Sequence, residues 1–175
     1  MSSLKVSIVP SDSPDNPRHN FDCYLGTFAM AHRRYSFGDK DSPTTPEGIA
    51  EASKGARIVL PVYMLDHSGQ TINTTGFSCP WDSGRIGSIW VTDDDIKKAY
   101  GVQEIDREIA DKAGEALVNE IAELDQWLRG DVWDVMIVDS EGWPVDSLGA
   151  VYGLEYADKE GAEMLASAIE WEGTR

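Results

Sequence analysis

Five side chains able to take part in catalysis lie close together along the chain, at Asp66, His67, Cys79, Asp82 and Ser83. A carboxylate can orient an imidazole, and that imidazole can activate a thiol or a hydroxyl as a nucleophile. Neighbouring side chains on a turn point apart, so Asp66 is a poor partner for His67. Asp82 can serve instead if its loop folds back on the turn that carries His67. The alternative interpretation is that these side chains only hold tight turns through bonds to the backbone.

Thiol and imidazole groups suggest zinc as a second chemistry. Four of them could close a tetrahedral site: Cys23, His32, His67 and Cys79. Structural zinc sites take two ligands from one tight turn, whereas Cys23 and His32 are nine residues apart and the other two are twelve apart. The spacing therefore predicts no bound metal or cofactor. It favours a buried structural cysteine and a hydrogen-bonded turn histidine.

Phosphate binding is a third chemistry, suggested by the segment DSGRIG from Asp82 to Gly87. Its glycines and Arg85 could line an anion pocket, but the glycine pattern of dinucleotide sites and the P-loop lysine are both missing. A hairpin or bulge is the favoured interpretation. The one tight basic cluster of the sequence, His32-Arg33-Arg34, either neutralises acids of the C-terminal half, residues 92–175, or contacts an acidic ligand.

The charge of the chain is its most unusual property. The 175 residues include 31 acidic and 15 basic residues, a net charge of −16. Residues 1–91 are near neutral, with nine acids and eight bases, whereas residues 92–175 hold 22 acids and seven bases. Such an acidic half repels phosphates, which argues against direct binding to nucleic acid and favours a basic protein partner or high solubility.

Seven acids of the second half are candidates for binding a partner: Asp93, Asp94, Asp95, Glu104, Glu108, Asp111 and Glu115. The aspartates begin a helix capped by Thr92, where the positive helix end favours carboxylates. The other four fall on one face of the next helix, about 5–6 Å apart, an interval of the same order as the phosphate spacing of a nucleic-acid strand. The face can therefore compete for proteins that bind DNA through lysine and arginine. The alternative is a solvated face that only maintains solubility.

The elements that position these residues predict one α+β domain over 1–175. Alternating and apolar runs predict strands, including one over 21–35 and a hairpin whose turn is formed by His67 to Gln70. A long amphipathic helix is predicted from about Gln103 to Arg129, because apolar residues recur there at steps of three and four. A hairpin turning near Glu141-Gly142 and a helix over 158–171 follow. We therefore expect a largely antiparallel sheet, with Trp81 and Trp90 packed in the core.

The expected compartment is the cytoplasm. No apolar run approaches the roughly 20 residues that span a bilayer, and the first residues lack the features of a secretory signal. Two cysteines are too few for a disulfide scaffold, which indicates reduced thiols.

Two motifs carry a resemblance to a known family: YMLDHSG (Tyr63 to Gly69) and FSCPWDSGRIGSIWV (Phe77 to Val91), preceded by HRRYSFGD. In these motifs the chain resembles small acidic proteins encoded by phages, plasmids and other mobile elements. The family has no established activity, so the resemblance implies no catalytic residue. It implies that the chain is encoded on a mobile element, where small acidic proteins are often counter-defence factors such as anti-CRISPR and antirestriction proteins.

Together these features predict a non-enzymatic inhibitor of a host defence nucleoprotein complex. Its acidic surface would imitate a nucleic-acid backbone and bind a basic protein, with neither nucleic acid nor membrane as a direct partner. The alternative is a small enzyme or zinc protein that uses His67, Cys79 and Asp82. The sequence leaves the oligomeric state and the identity of the partner open.

Overall fold

A computed structural model describes residues 3–21 and 23–173. Over these residues the chain forms seven strands and five helices. In order they are β1 (Lys5–Pro10), α1 (Pro17–Asn20), β2 (Thr27–Met30), α2 (Pro46–Ala52), β3 (Ile58–Asp66), β4 (Gln70–Asn73), β5 (Ser83–Val91), α3 (Asp93–Tyr100), α4 (Arg107–Leu128), β6 (Val132–Val138), β7 (Pro144–Tyr152) and α5 (Leu154–Gly173). The strand pairs are antiparallel, which confirms the predicted α+β class.

The chain divides into two compact units. The end unit contains both termini, up to Pro14 and from Gly130 onward, and the middle unit contains Asp15–Arg129. Each unit has its own sheet, so the strands predicted for one sheet are divided between two. The border between the near-neutral and acidic halves, after Val91, falls inside the middle unit at the end of β5.

In the end unit, α5 packs on a sheet with the strand order β1-β6-β7. Val135, Val151 and Ala157 form its buried centre. Gly161 allows the close approach of helix and sheet, because a Cβ there would lie 2.7 Å from Val6 Cγ1. The hairpin between β6 and β7 turns through Gly142, which has a φ of 89°, and this confirms the predicted position of the turn.

In the middle unit, α4 packs against a sheet with the order β2-β5-β3-β4. The predicted apolar stripe of the long helix is confirmed, since Ala113, Leu117, Ile121 and Leu124 are at most 1% exposed. These side chains join Phe28 and other sheet residues in the main core. Across residues 3–21 and 23–173, no helix combines the length and apolar character needed to cross a bilayer.

Three predicted elements have different bounds. The last helix, predicted over 158–171, spans Leu154–Gly173. The long helix begins at Arg107 instead of Gln103, because the Asp106 side chain accepts from the Ile109 N–H at 2.9 Å and caps the first turn. The strand predicted over 21–35 is only Thr27–Met30. Within the described part of that range, Gly26 precedes the strand, and a Cβ there would lie 2.3 Å from Leu117 Cδ2.

The turn and the helix cap that the sequence predicted near the candidate site are both present. His67 to Gly69 join β3 to β4 as predicted, with a bond of 3.1 Å from the His67 N–H to the Gly69 carbonyl. Ser68 occupies the left-handed region at a φ of 58°. Thr92 caps α3 by accepting from the Asp95 N–H at 3.3 Å, and the helix ends at Gly101.

Candidate functional site

Three motifs that are distant in sequence meet on one surface of the middle unit. We call this surface the motif cluster; it comprises residues 32–35, 66–70 and 79–85. The Asp66 N–H donates to the Asp82 carbonyl at 2.8 Å, which joins the β3–β4 turn to the loop before β5. Arg34 Nη2 lies 2.6 Å from Asp66 Oδ2, which attaches the basic segment to the same turn. The loop around Asp82 therefore does fold back on the turn that carries His67.

Asp66 is the centre of the hydrogen bonds in the motif cluster. Besides the Arg34 ion pair, its carboxylate accepts from the Gln70 amide and the Tyr35 hydroxyl, each at 3.1 Å. The hydrogen bond from Gln70, helped by that from Tyr35 and by the charges of Arg34 and His32, holds the pKa of Asp66 below its ordinary value although partial desolvation raises it. The sequence suggested that the basic cluster neutralises acids of residues 92–175, whereas the partner of Arg34 is Asp66, in the near-neutral half.

The arrangement of His67, Cys79 and Asp82 differs from that of a catalytic triad. His67 Nδ1 lies 3.3 Å from Asp82 Oδ2, and Cys79 Sγ lies 3.8 Å from the same oxygen. The carboxylate thus stands between the thiol and the imidazole, whereas nucleophile activation requires the imidazole in the middle. The His67 side chain is also 72% exposed. This geometry gives the thiol no imidazole base, and it does not support the catalytic alternative.

The donor groups do not support a metal site either. Within residues 3–21 and 23–173, no three or more His, Cys, Asp or Glu side chains are placed to hold one metal ion. The thiols of Cys23 and Cys79 are free, and neither residue is buried, so the prediction of a buried structural cysteine is wrong. His32 is engaged locally, since its Nδ1 accepts from the Arg34 and Tyr35 N–H groups at 3.3 Å and its ring stacks on Tyr35.

The predicted position of Trp81 in the motif cluster is also wrong. Trp81, expected in the core, is 92% exposed, whereas Trp90 is 5% exposed as expected. The difference follows from their elements, because Trp90 lies on the central strand β5 and Trp81 lies in the turn that precedes it. Periodicity cannot place a ring that stands outside a strand or helix.

The predicted acidic residues of α3 and α4 are partly neutralised by bases. Asp93 forms a two-point ion pair with Arg57, at 2.5 and 2.8 Å. Glu108 lies 2.7 Å from Lys112 Nζ on the same helix. Asp111 lies 3.7 Å from Arg107 Nε in the same way.

The other predicted acids are exposed, but Glu104 does not share the face of α4 that carries Glu108, Asp111 and Glu115. Glu104 was expected on the long helix and instead lies in the loop before it, because the helix begins later. Asp95 accepts from the Thr92 hydroxyl at 2.5 Å. Asp94 and Glu115 are exposed and have no ion pair with any described residue. The seven residues therefore remain candidates for partner binding, in a surface where both signs of charge alternate.

The end unit has the larger excess of negative charge. Its sequence holds twelve acids and three bases, against nineteen acids and twelve bases in the middle unit. Helix α5 alone contains six acids and one base, Lys159. Four of those acids are exposed: Glu155, Asp158, Glu163 and Glu170. Lys159 lies 3.8 Å from Glu163 Oε1, and the other three have no ion pair within the described chain.

Comparison of the chain with protein families, curated proteins and solved structures finds no match.

Proposed function

We propose that the protein is a non-enzymatic inhibitor of a host defence nucleoprotein complex, of the anti-CRISPR or antirestriction type. Its carboxylates would occupy a channel that otherwise holds nucleic acid, and its partner is a basic nucleic-acid-binding protein. The excess of acids supports this mode of binding. The resemblance of the two motifs to mobile-element proteins supports the class of target.

The observation that carries the proposal is the exposed face of α5. Glu155, Asp158 and Glu170 stand on a helix whose one base, Lys159, is 3.8 Å from Glu163. Exposed carboxylates that form no ion pair attract lysine- and arginine-lined surfaces over a distance set by ionic strength. We assign α5 as the principal contact surface.

The predicted residues of α3 and α4 form a second contact surface in the proposal. Here bases alternate with acids, and each neutralised carboxylate weakens the resemblance to a phosphate backbone. Asp94 and Glu115 retain unpaired charge, whereas Asp93 and Glu108 are held by Arg57 and Lys112. We therefore expect this surface to contribute less to binding than α5.

The experiment is capture from host lysate on immobilised protein, at about 50 mM and about 500 mM salt. Wild-type protein should retain a nucleic-acid-binding complex at low salt, and added duplex DNA should release it. The triple reversal E155K/D158K/E170K should abolish retention. A matched control, D41K/E47K/E51K, makes the same change in net charge in the near-neutral half and should leave retention intact.

The possible outcomes distinguish binding through an acidic surface from the choice of α5 as that surface. Loss of retention in E104K/E108K/D111K/E115K alone would reject α5 as the principal surface but keep the mode of binding. If added DNA does not release the complex, and if neither the α5 variant nor E104K/E108K/D111K/E115K loses retention, inhibition through an acidic surface is rejected. Circular dichroism of each variant checks that the fold is unchanged.

A further inference from the structure

A cavity of about 420 Å³ lies between α2 and β5 in the middle unit. Its volume falls within the range of about 300–1,000 Å³ typical of small-molecule sites. Ala31, Pro46, Ile49 and Ile86 provide apolar walls, and Arg85 and Ser88 are among the polar residues that line the cavity. An apolar pocket with a few polar groups on one side is the usual form of a ligand site.

Arg85 is unusual among the arginines of this acidic protein. Five other arginines have a carboxylate within 4 Å: Arg18, Arg34, Arg57, Arg107 and Arg129. Arg85 has none among the described residues. Its Nε donates to the Gly87 carbonyl at 3.2 Å and its Nη2 donates to the Ser88 hydroxyl at 2.8 Å, both neutral acceptors. The charge is therefore positioned by the strand but not neutralised.

Ser88 adds a second donor at the same cavity. The residue is 1% exposed, and its Oγ accepts from Arg85. Its own hydroxyl proton is donated to no acceptor in the described part of the chain. Arg85 Nη1 is likewise without a hydrogen bond to any described residue. A guanidinium edge and a hydroxyl are a donor pair suited to the oxygens of a carboxylate or phosphate.

The hydrocarbon walls define the other half of the ligand. Ile49 and Ile86 are each 5% exposed, and Ala31 and Pro46 adjoin them in the cavity wall. Gly87 keeps this wall in place, because its lack of a side chain lets β2 lie close to β5. We propose that the cavity binds a small molecule in which a carboxylate or phosphate is joined to an apolar group. This site is independent of the proposed inhibitory surface.

The test is titration of ¹⁵N-labelled protein with phenyl phosphate and with benzoate, following the backbone amides of Gly87, Ser88 and Ile49 by NMR. Inorganic phosphate and benzyl alcohol serve as probes that carry only the charge or only the ring. Saturable shifts with phenyl phosphate or benzoate, at least about fivefold tighter than with either half-probe, are expected. The two full probes distinguish a phosphate ligand from a carboxylate ligand.

R85Q should weaken binding by about tenfold through loss of a charge-assisted bond, and S88A should weaken it by a smaller factor. R33Q is the matched control, since Arg33 has no ion pair with a described residue and does not line the cavity. R85K keeps the positive charge and should bind the probe better than R85Q. That difference would show that R85Q loses affinity through its charge and not through misfolding. The absence of saturable shifts, or equal sensitivity of R33Q and R85Q, would overturn the proposal.

Discussion

Arg18 and Asp39 form a two-point ion pair inside the middle unit, with Nε 2.6 Å from Oδ1 and Nη2 2.8 Å from Oδ2. The Arg18 side chain is 1% exposed, and its Nη1 also contacts Glu120 at 2.9 Å. Burial disfavours the charged guanidinium, but bonds to Asp39 and Glu120 outweigh burial and hold the pKa of Arg18 above its ordinary value. The pair connects the short helix α1 to the loop after β2.

We predict that Asp39→Ala lowers the free energy of unfolding by about 3 kcal/mol, because it leaves a buried guanidinium without its main counter-charge. The Phe28 N–H also donates to Asp39 Oδ2 at 2.9 Å, and the substitution removes that acceptor. Urea denaturation followed by tryptophan fluorescence measures the change.

The matched control is Asp93→Ala. Asp93 and Arg57 have the same two-point geometry, but their side chains are 46% and 40% exposed. Water replaces a lost partner at such a surface, so the change should be a small fraction of that in Asp39→Ala. Equal losses in the two variants would show that burial does not determine the contribution of this ion pair.

A second prediction contrasts two glycines of β5. A Cβ at Gly87 would lie 2.0 Å from the Ala29 carbonyl oxygen and 2.8 Å from Met30 Cα, both backbone atoms of the paired strand β2. A Cβ at Gly84 would contact nothing within 4 Å. Gly87→Ala should therefore destabilise the protein by about 3 kcal/mol or more, whereas Gly84→Ala should change stability by less than about 0.5 kcal/mol. Thermal unfolding of both variants tests the difference, and a stable Gly87→Ala protein would contradict the register of β2 against β5.

Local signals explain which parts of the fold were predictable. The stripe of α4, the Thr92 cap and the turn at Gly142 each depend on residues within a few positions of one another, and each was correctly predicted. The start of α4 was missed by four residues because the Asp106 side chain caps the helix at that point. Apolar periodicity alone does not show which residue caps a helix.

Long-range contacts explain what the sequence did not reveal. Arg18 lies in a segment that reads as a polar loop, yet it is buried because Asp39 and Glu120, 21 and 102 residues away, surround its guanidinium. The partner of Asp66 is 32 residues upstream. For the candidate site, the sequence indicated that Asp82 could approach His67. It could not show that the Asp82 carboxylate lies between the thiol and the imidazole, because that depends on how two separate loops pack.

A third prediction concerns the two tryptophans of the FSCPWDSGRIGSIWV motif. Trp90 packs with Ala29 and Ile49 and is 5% exposed, so Trp90→Ala should cost about 3–5 kcal/mol. Trp81 is 92% exposed, and Trp81→Ala should change stability by less than about 0.5 kcal/mol. Chemical denaturation measures both, and iodide quenching of fluorescence should distinguish Trp81→Ala from wild type by loss of an accessible indole. A large destabilisation in Trp81→Ala would show that the Trp81 ring is packed in the core and would contradict its exposed position.

The last prediction follows from Asp66, whose pKa is lowered in the folded protein by the Gln70 bond and by Tyr35, Arg34 and His32. A lowered pKa means that the unfolded chain takes up the proton first, so the stabilising effect is present above the ordinary aspartate pKa and is lost as the pH falls below it. Asp66→Asn should therefore lower the urea midpoint at pH 7. The difference from wild type should narrow toward pH 3, below the ordinary aspartate pKa of about 3.9.

Asp41→Asn is the control for this titration, because Asp41 is an exposed aspartate whose side chain has no bond to any described residue. Its midpoint should follow that of wild type at both pH values. The prediction depends on the protonation of one carboxylate, so the narrowing must be absent from Asp41→Asn and present in Asp66→Asn. If the urea midpoints of Asp66→Asn and wild type differ by the same amount at pH 7 and pH 3, the contribution of Asp66 does not depend on the charge of its carboxylate, and the prediction is wrong.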